Sequence, residues 1–486
     1  MRYSTRLTLF ALVSASACSD GAGPTWAFLS AVSGGGGTDT VLALPPQLLT
    51  IAVHDLHGPI QGERVQLLAQ PDSIGPRRGV YVCSWRRPSC AAFFPGGYNV
   101  TFGVDDTTDA AGRVQARVQF GVVAGPARIR VLLPDRRDGD SISLHFTTRP
   151  GAQAQVIAAV PDTAIYTGTT YGLGGRSADR FGNVRPEPVT FTTSTPAVVS
   201  LTGDRVKAIG TGRGRIIMAS GAFNDTAFVS VPPQGRLVTF GWAPDLSSLK
   251  LLTLVNTDGS NRRVLISTTA NNGTALPVWS PSGGHIVYQE DGPIGRGELE
   301  LIDTLGLHRP LLTSFNMSVH PAVSSSEGAV YFFGEETSSG VSGVYRASPT
   351  GNESQFVFSG AAPGPSPDGS AIAYVGGDSL FVRTLATATV ISLAPSPGLP
   401  RWSPAGDLIA FISSDGSTAV RLVRPDGSQL RTVSQGFHDG TVTWSPDGQW
   451  LAVARWTGGI DLIRVADGET LPIRGTEDLF QPAWRP

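Results

Sequence analysis

The second half of the chain alternates short apolar runs with polar, turn-forming stretches. Five apolar triplets recur: Ile286-Val-Tyr288, Val330-Tyr-Phe332, Ile372-Ala-Tyr374, Ile409-Ala-Phe411 and Leu451-Ala-Val453. Each follows, at one fixed spacing, an anchor position held in turn by Trp279, Val323, Pro365, Trp402 and Trp444, and a sixth anchor stands at Trp484. The anchors repeat about every forty residues, a period that marks arrays of small supersecondary units. Apolar runs this short, bounded by turn residues, read as buried strands. Between anchor and triplet lies a turn such as Ser366-Pro-Asp-Gly369 or Ser445-Pro-Asp-Gly448. Pro presets φ there and Gly takes the left-handed position, so anchor strand, turn and triplet predict a hairpin. A third strand follows (Glu298 to Asp303, Val344 to Ala347, Val420 to Arg424, Ile460 to Val465), then usually a Gly turn and a fourth. Four antiparallel strands per repeat make one blade of a β-propeller.

The motif Pro-x-Trp-Ser-Pro-Asp-Gly-x-x-Ile-Ala-Phe resembles the repeat of TolB-like propellers, relatives of the WD-repeat propellers, over residues 235 to 486. Two copies depart from it: Val323 and Pro365 replace the Trp, and Ser324-Ser-Ser-Glu327 replaces the Pro-Asp turn. The resemblance implies a propeller that binds envelope partners. Arg236-Leu-Val-Thr-Phe240, Leu249 to Val255 and Arg262 to Ile266 read as three strands lacking an innermost one, and Gln481-Pro-Ala-Trp-Arg-Pro486 reads as an innermost strand alone. Together they complete a blade. The expectation is six blades closed by the C-terminal strand, which leaves no open sheet edge at the seam. Trp242-Ala-Pro-Asp245 imitates the motif without a following triplet and reads as a loop.

Upstream, short strands alternate with turns from 44 to 150 (Leu48 to Val53, Arg64 to Leu68, Arg113 to Phe120, Ala127 to Leu133, Ser141 to Phe146), as in a β-sandwich. Val53-His-Asp-Leu-His-Gly-Pro-Ile60 with Thr108-Asp-Ala-Ala-Gly-Arg-Val114 resembles the invasin-type bacterial Ig-like domain, and residues 73 to 100 look like an insertion in it. Residues 153 to 232 read as a second sandwich, built from Ala178-Asp-Arg-Phe-Gly-Asn183, Val189 to Thr192, Ala197 to Ser200, Val206 to Ile209 and Arg215 to Ser220. It resembles a second bacterial Ig-like group. Gly210, Gly212 and Gly214 imitate a dinucleotide loop, but a strand and not a helix follows. Pro232-Pro233 marks a stiff junction to the propeller. The expected fold class is all-β: two Ig-like β-sandwiches followed by a six-bladed β-propeller.

Composition fits this reading. With 59 Gly and 36 Pro in 486 residues, long helices are not expected. A net charge of -2 with 16% charged residues supplies no electrostatic footprint for nucleic acid or an anionic membrane surface. Residues 1 to 17 carry Arg2 and Arg6, an apolar run Leu7 to Val13 and the small residues Ala15-Ser-Ala17, the pattern of a secretion signal. With Cys18 next, the segment resembles the bacterial lipobox, although position 15 is Ala where Leu is usual. That resemblance implies cleavage before Cys18, lipidation of Cys18 and membrane attachment through the lipid. Ser19 in place of Asp points to the outer membrane, with the periplasmic face and the cell surface both open. Residues 18 to 43, with Gly34-Gly-Gly-Gly37, read as a flexible tether of reach about 25 to 30 Å. Setting Cys18 aside leaves Cys83 and Cys90, an even pair that in an exported protein points to a disulfide.

Catalytic motifs are missing from the chain. Lys207 and Lys250 follow Val206 and Leu249 and not Gly, so neither belongs to a P-loop. No Gly-x-Ser-x-Gly elbow and no His-Glu-x-x-His occurs. The residues expected at the propeller mouth are His320, His438 and Gln481. Two His from different blades could share a metal, but these occupy unmatched positions and read better as hydrogen-bonders in loops. Asp258, Asp368, Asp426, Asp447 and Asp467 each precede Gly, and turn chemistry explains them better than calcium does. No catalytic, cofactor-binding or metal-ligating residue is therefore assigned. Two functions remain: an envelope lipoprotein whose Ig-like modules present a propeller to a protein or glycan, and a propeller lyase or hydrolase acting on a polysaccharide. The lack of paired carboxylates or a His cluster favours the first.

Overall fold

Strand follows strand throughout the computed structural model, and among the described residues no α-helix occurs. The described residues are 26–486 except 71–78, 95–96, 101–102, 137–140, 160–163, 244–245, 270–273, 292–296, 313–314, 327, 352, 396, 414–417 and 437. The signal segment 1–17 and Cys18 lie outside them. Contacts divide the chain into two compact units, residues 1–157 with 176–188, and residues 158–175 with 189–486. The sequence places residues 176–188 in the second sandwich instead.

The first unit is a sandwich of two sheets. Phe28–Ser33, Leu49–Asp55, Arg113–Phe120 and Val80–Ser84 pair in that order; Gly36–Thr40, Ser141–Arg149, Gly125–Leu132, Arg64–Ala69 and Gly103–Thr107 form the other sheet. Alternate residues from both, including Leu49, Ile51 and Val53 from one and Leu67, Ile129 and Val131 from the other, share a single buried cluster. That is the period-two burial of strands with one face inward.

Two expectations are corrected here. Residues 26–43 are not free tether. Phe28–Ser33 pairs antiparallel with the Leu49–Asp55 strand, Gly36–Thr40 pairs parallel with Ser141–Arg149, and Ala27 and Leu29 are buried in the core. The glycines serve close approach more than freedom: Gly34 sits at φ 67°, where a Cβ would lie 2.8 Å from the Leu48 carbonyl oxygen. Nor is the Cys-bearing stretch wholly an insertion. Val80–Ser84 pairs along the Arg113–Phe120 strand, with Val80 and Val82 in the core. Cys83 and Cys90 are joined, with Cα atoms 5.4 Å apart.

In the second unit, Thr170–Gly172, Arg205–Ala208 and Val199–Thr202 form one small sheet, and Thr190–Thr193, Gly212–Ser220 and Phe223–Val231 another. The Gly-x-Gly-x-Gly run is a packing device, not a loop for phosphates. Gly212 and Gly214 begin a strand, and a Cβ on Gly214 would press on the Val199 side chain at 2.6 Å.

Among the described residues, the strands from Arg236 onward form six four-stranded antiparallel sheets. In the first, Arg263–Thr269, Leu246–Asn256 and Arg236–Ala243 lie in order from outside to inside, and Leu479–Trp484 supplies the innermost strand. Trp242 and Ala243, expected in a loop, extend the Arg236–Ala243 strand and pair with Lys250 and Leu246. Apolar clusters lie between successive sheets. One joins Leu252 and Leu254 to Trp279 and Tyr288, another joins Ala410 and Leu422 to Trp444 and Leu451, and a third closes the ring by packing Leu462 and Leu471 against Leu237 and Trp484. Each sheet is thus stabilised mainly by burial against its neighbours.

Candidate functional site

The innermost strands meet around the axis, and the repeat motif shows how they are held. Trp279 donates its indole N–H to the Ala483 carbonyl at 3.1 Å, Trp402 to Gly364 at 2.9 Å and Trp444 to Arg401 at 2.9 Å. Each acceptor directly precedes the anchor residue of another inner strand, so the anchor Trp staples blade to blade. Val323 and Pro365 have no such donor. The following turn is closed by its serine: Ser445 Oγ donates to Asp447 and accepts from the Trp450 amide at 2.9 Å, with Gly448 at φ 69°. Ser366, Asp368 and Gly369 repeat the arrangement. The carboxylates of these turns are engaged locally, as turn chemistry requires.

Three residues before the anchor, four of the inner strands carry a shared irregularity. Leu276, His320, Ala362 and Gln481 all have φ between 49° and 56°, and the pairing register slips at the same place in each strand. A non-glycine residue in this region costs roughly 1 kcal/mol or more, so surrounding contacts must hold it. Some of those contacts run from blade to blade. The Gln481 amide donates to Asp439 Oδ2 at 2.8 Å, and the Gln481 side-chain oxygen accepts from the Leu276 amide at 2.8 Å. Burial pushes the Asp439 carboxyl above its ordinary range, against the pull of its bonds from Thr441 and Gln481.

Beside this ring lies a cavity of about 300 Å³ to which all six inner strands contribute, with Leu276, Ala322, Gly364, Leu399, Thr441 and Gln481 among its walls. Two arginines line it, Arg401 and Arg485. Arg401 donates to its neighbour Pro400 O at 3.1 Å and, two blades away, to Pro321 O at 3.4 Å. Among the described residues no carboxylate pairs with it, and burial holds its guanidinium down to about 10.

Of the three expected mouth residues, Gln481 lines the cavity and the two histidines do not. His438 is buried within its own sheet opposite Arg455. His320 lies close enough to Arg401 to feel its charge. Burial lowers both imidazoles below their ordinary value; Arg401 lowers His320 further, and the Ala454 backbone offsets part of the effect at His438. Among the described residues no group of three or more His, Cys, Asp and Glu could hold a metal ion. Arg401 and Asp439 escaped the sequence reading. The signal for Arg401 was present, because the position before the anchor is otherwise Val278, Ala322, Gly364, Thr443 and Ala483, all uncharged.

A closed ring of four-stranded sheets around an axial cavity defines a β-propeller, and parts of it match known sequences. Residues 400–478 match the family model of the anaphase-promoting complex subunit 4 WD40 domain. Over 100 residues the chain is 35% identical to the Tol-Pal system protein TolB of Gluconobacter oxydans, a match covering 18% of this chain and 22% of that protein. The chain thus spans about a fifth of the relative it matches. The crystal structure of TolB from Acinetobacter baumannii aligns with a TM-score of 0.45 at 16% identity, over 63% of this chain and 84% of that one. An oligogalacturonate lyase in complex with manganese aligns at 0.32 and 14% identity, over 49% and 72% of the two chains. The C-terminal half of the chain is a propeller, and stretches of it are similar in sequence to TolB and to a WD40 domain.

Proposed function

We propose that the protein is a cell-envelope lipoprotein in which two Ig-like modules present a six-bladed propeller, closed by its C-terminal strand, as a binding platform for an envelope protein or glycan. The observation that carries this reading is the axial cavity. Its wall is a mixed set of side chains drawn from all six inner strands, which suits recognition by shape, and its half-buried cation, Arg401, has no acid partner among the described residues. Arg401 is half-buried in that wall, and specificity in such a site comes from loops and side chains that differ between blades while the sheets hold their form. The similarity to TolB, a Tol-Pal system protein, supports the envelope setting. The signal segment and Cys18 supply the export and anchoring parts of the proposal.

The test places a photocrosslinking residue at Leu399, on the cavity wall, in intact cells. Capture of one discrete partner, lost when Arg401 is replaced by Ala, is the expected result. No capture, together with turnover in a polysaccharide cleavage screen that disappears in His320→Ala or His438→Ala, would replace the platform with an enzyme. Detergent phase partitioning tests the anchor separately: wild type should enter the detergent phase and Cys18→Ser should not.

A further inference from the structure

A second cavity, of about 400 Å³, lies at the propeller seam, where the strand beginning at Arg236 meets Leu479–Trp484, and Tyr166 forms part of its wall. Its charged side chains are both cationic, Arg236 and Arg485. The Arg485 amide donates to the Arg236 carbonyl at 2.9 Å, which sets the two arginines side by side on paired strands. Like charges so placed repel, and Arg485 accordingly helps to lower the Arg236 guanidinium, after the larger effect of burial and ahead of Arg263. Among the described residues no carboxylate pairs with Arg236 or Arg485.

Two donors here are also unmet. Among the described residues, Arg236 Nε is buried without a hydrogen-bond partner. So is the indole N–H of Trp484, although Trp279, Trp402 and Trp444 each find a carbonyl on another blade. Gly235 lies against that indole nitrogen, and a Cβ there would collide with it. Arg485 spends its Nε on the Gly283 carbonyl at 3.1 Å and stacks over Trp279, and among the described residues the rest of its guanidinium fork is uncommitted. Of the neighbouring polar groups, the Tyr166 hydroxyl lies 3.2 Å from Thr257 Oγ1 and accepts from the Asp258 amide, the Asn256 side chain donates to Ser260, and Asp258 Oδ1 is held by Ser260, while Gln234 and Pro486 also line the pocket.

We propose that this seam pocket binds an oxyanion, the phosphate or carboxylate end of a small ligand, through Arg236 and Arg485. Planar guanidinium forks match the geometry of such groups, and charge-assisted hydrogen bonds to them are the strong kind. An anion there would offset the charge of the two arginines and relieve the repulsion between them. It would also tie the first strand of the ring to the last, so binding should stabilise the closure itself. Trp484 and Arg485 border the axial cavity as well, but Arg236 and Tyr166 belong to the seam pocket and not to that cavity. Arg236→Gln therefore tests the seam pocket without altering the wall of the axial cavity.

The test is a thermal melt of the full-length protein titrated with inorganic phosphate, and in a second series with acetate, at constant ionic strength held by chloride. A saturable rise in the propeller melting temperature is expected with at least one of them, and which one acts distinguishes a phosphate ligand from a carboxylate ligand. Arg485→Gln, which keeps a polar side chain and removes the charge, should weaken the apparent affinity about tenfold, equivalent to about 1.4 kcal/mol. Arg236→Gln should abolish the saturable response. No saturable rise with either anion, or a rise undiminished in both variants, would overturn the proposal. Should Arg236→Gln fail to fold, the Arg485→Gln titration decides alone.

Discussion

Deleting residues 481–486 should destabilise the propeller far more than six residues at a chain end normally would. The deletion removes Trp484, 5% exposed, from the cluster that includes Leu237, Val255 and Trp450, and Ala483 from the cluster around Trp279. It also removes the pairs Leu237↔Trp484 and Val238↔Ala483 and exposes the edge of the Arg236–Ala243 strand. Truncation of a buried Trp costs about 3 to 5 kcal/mol. Trp279 loses its acceptor, the Ala483 carbonyl, and an unmet buried donor costs about 1 to 3 kcal/mol more. The total, about 4 to 8 kcal/mol, is comparable with the whole stability of an ordinary domain, about 5 to 15 kcal/mol. Denaturant unfolding followed by circular dichroism reads the effect, with the propeller transition separated from that of the N-terminal unit. Trp484→Ala, which keeps the backbone pairing, should account for about 3 to 5 kcal/mol of the loss. An unchanged propeller midpoint in the deletion variant would refute closure through this strand.

Phe in place of Trp444 removes the hydrogen bond to the Arg401 carbonyl and should cost about 1 to 2 kcal/mol. In phosphate-free chloride Trp484→Phe should cost less, since its N–H has no acceptor; equal losses in denaturant midpoints would contradict the staple. Cys83 and Cys90 are separated by 7 in sequence, so replacing both with Ser should lower the stability of the first unit by about 2 to 3 kcal/mol on loop-entropy grounds. Thiol alkylation before and after reduction reads the bond, and two freely labelled thiols in the unreduced folded protein would exclude it. His320 and His438 have imidazoles lowered below their ordinary value, so as pH falls the unfolded chain takes up their protons first. Their contribution is complete above the unfolded value, about 6.5, and is lost as pH falls below it, by up to about 1.4 kcal/mol per His per pH unit. His320→Gln with His438→Gln should flatten the dependence of unfolding free energy on pH between about 7 and 5, and an unaltered slope would show that neither group is held neutral.

The blades were legible in the sequence because each is a local unit. Anchor, turn and triplet lie within a few residues of one another, and their chemistry is short-ranged: Ser445, Asp447 and Gly448 close a turn using only their own neighbours. The strand Leu479–Trp484 was assignable to the seam sheet by the same repeat, as an inner strand left over beside three strands lacking one. What tertiary structure alone decided depends on partners distant in the chain. Gly36 and Gly37 look like linker until the strand Ser141–Arg149 offers them a pairing edge, and Val80–Ser84 looks inserted until Arg113–Phe120 takes it up. The left-handed residues Leu276, His320, Ala362 and Gln481 carry no glycine to announce them, because the bulge is held by contacts such as that from the Leu276 amide to Gln481. Arg401, Arg236 and Trp484 follow the same logic. Whether a donor finds an acceptor is a property of the folded neighbourhood, and the repeat that marks Trp484 as an anchor says nothing of the carbonyl its indole lacks.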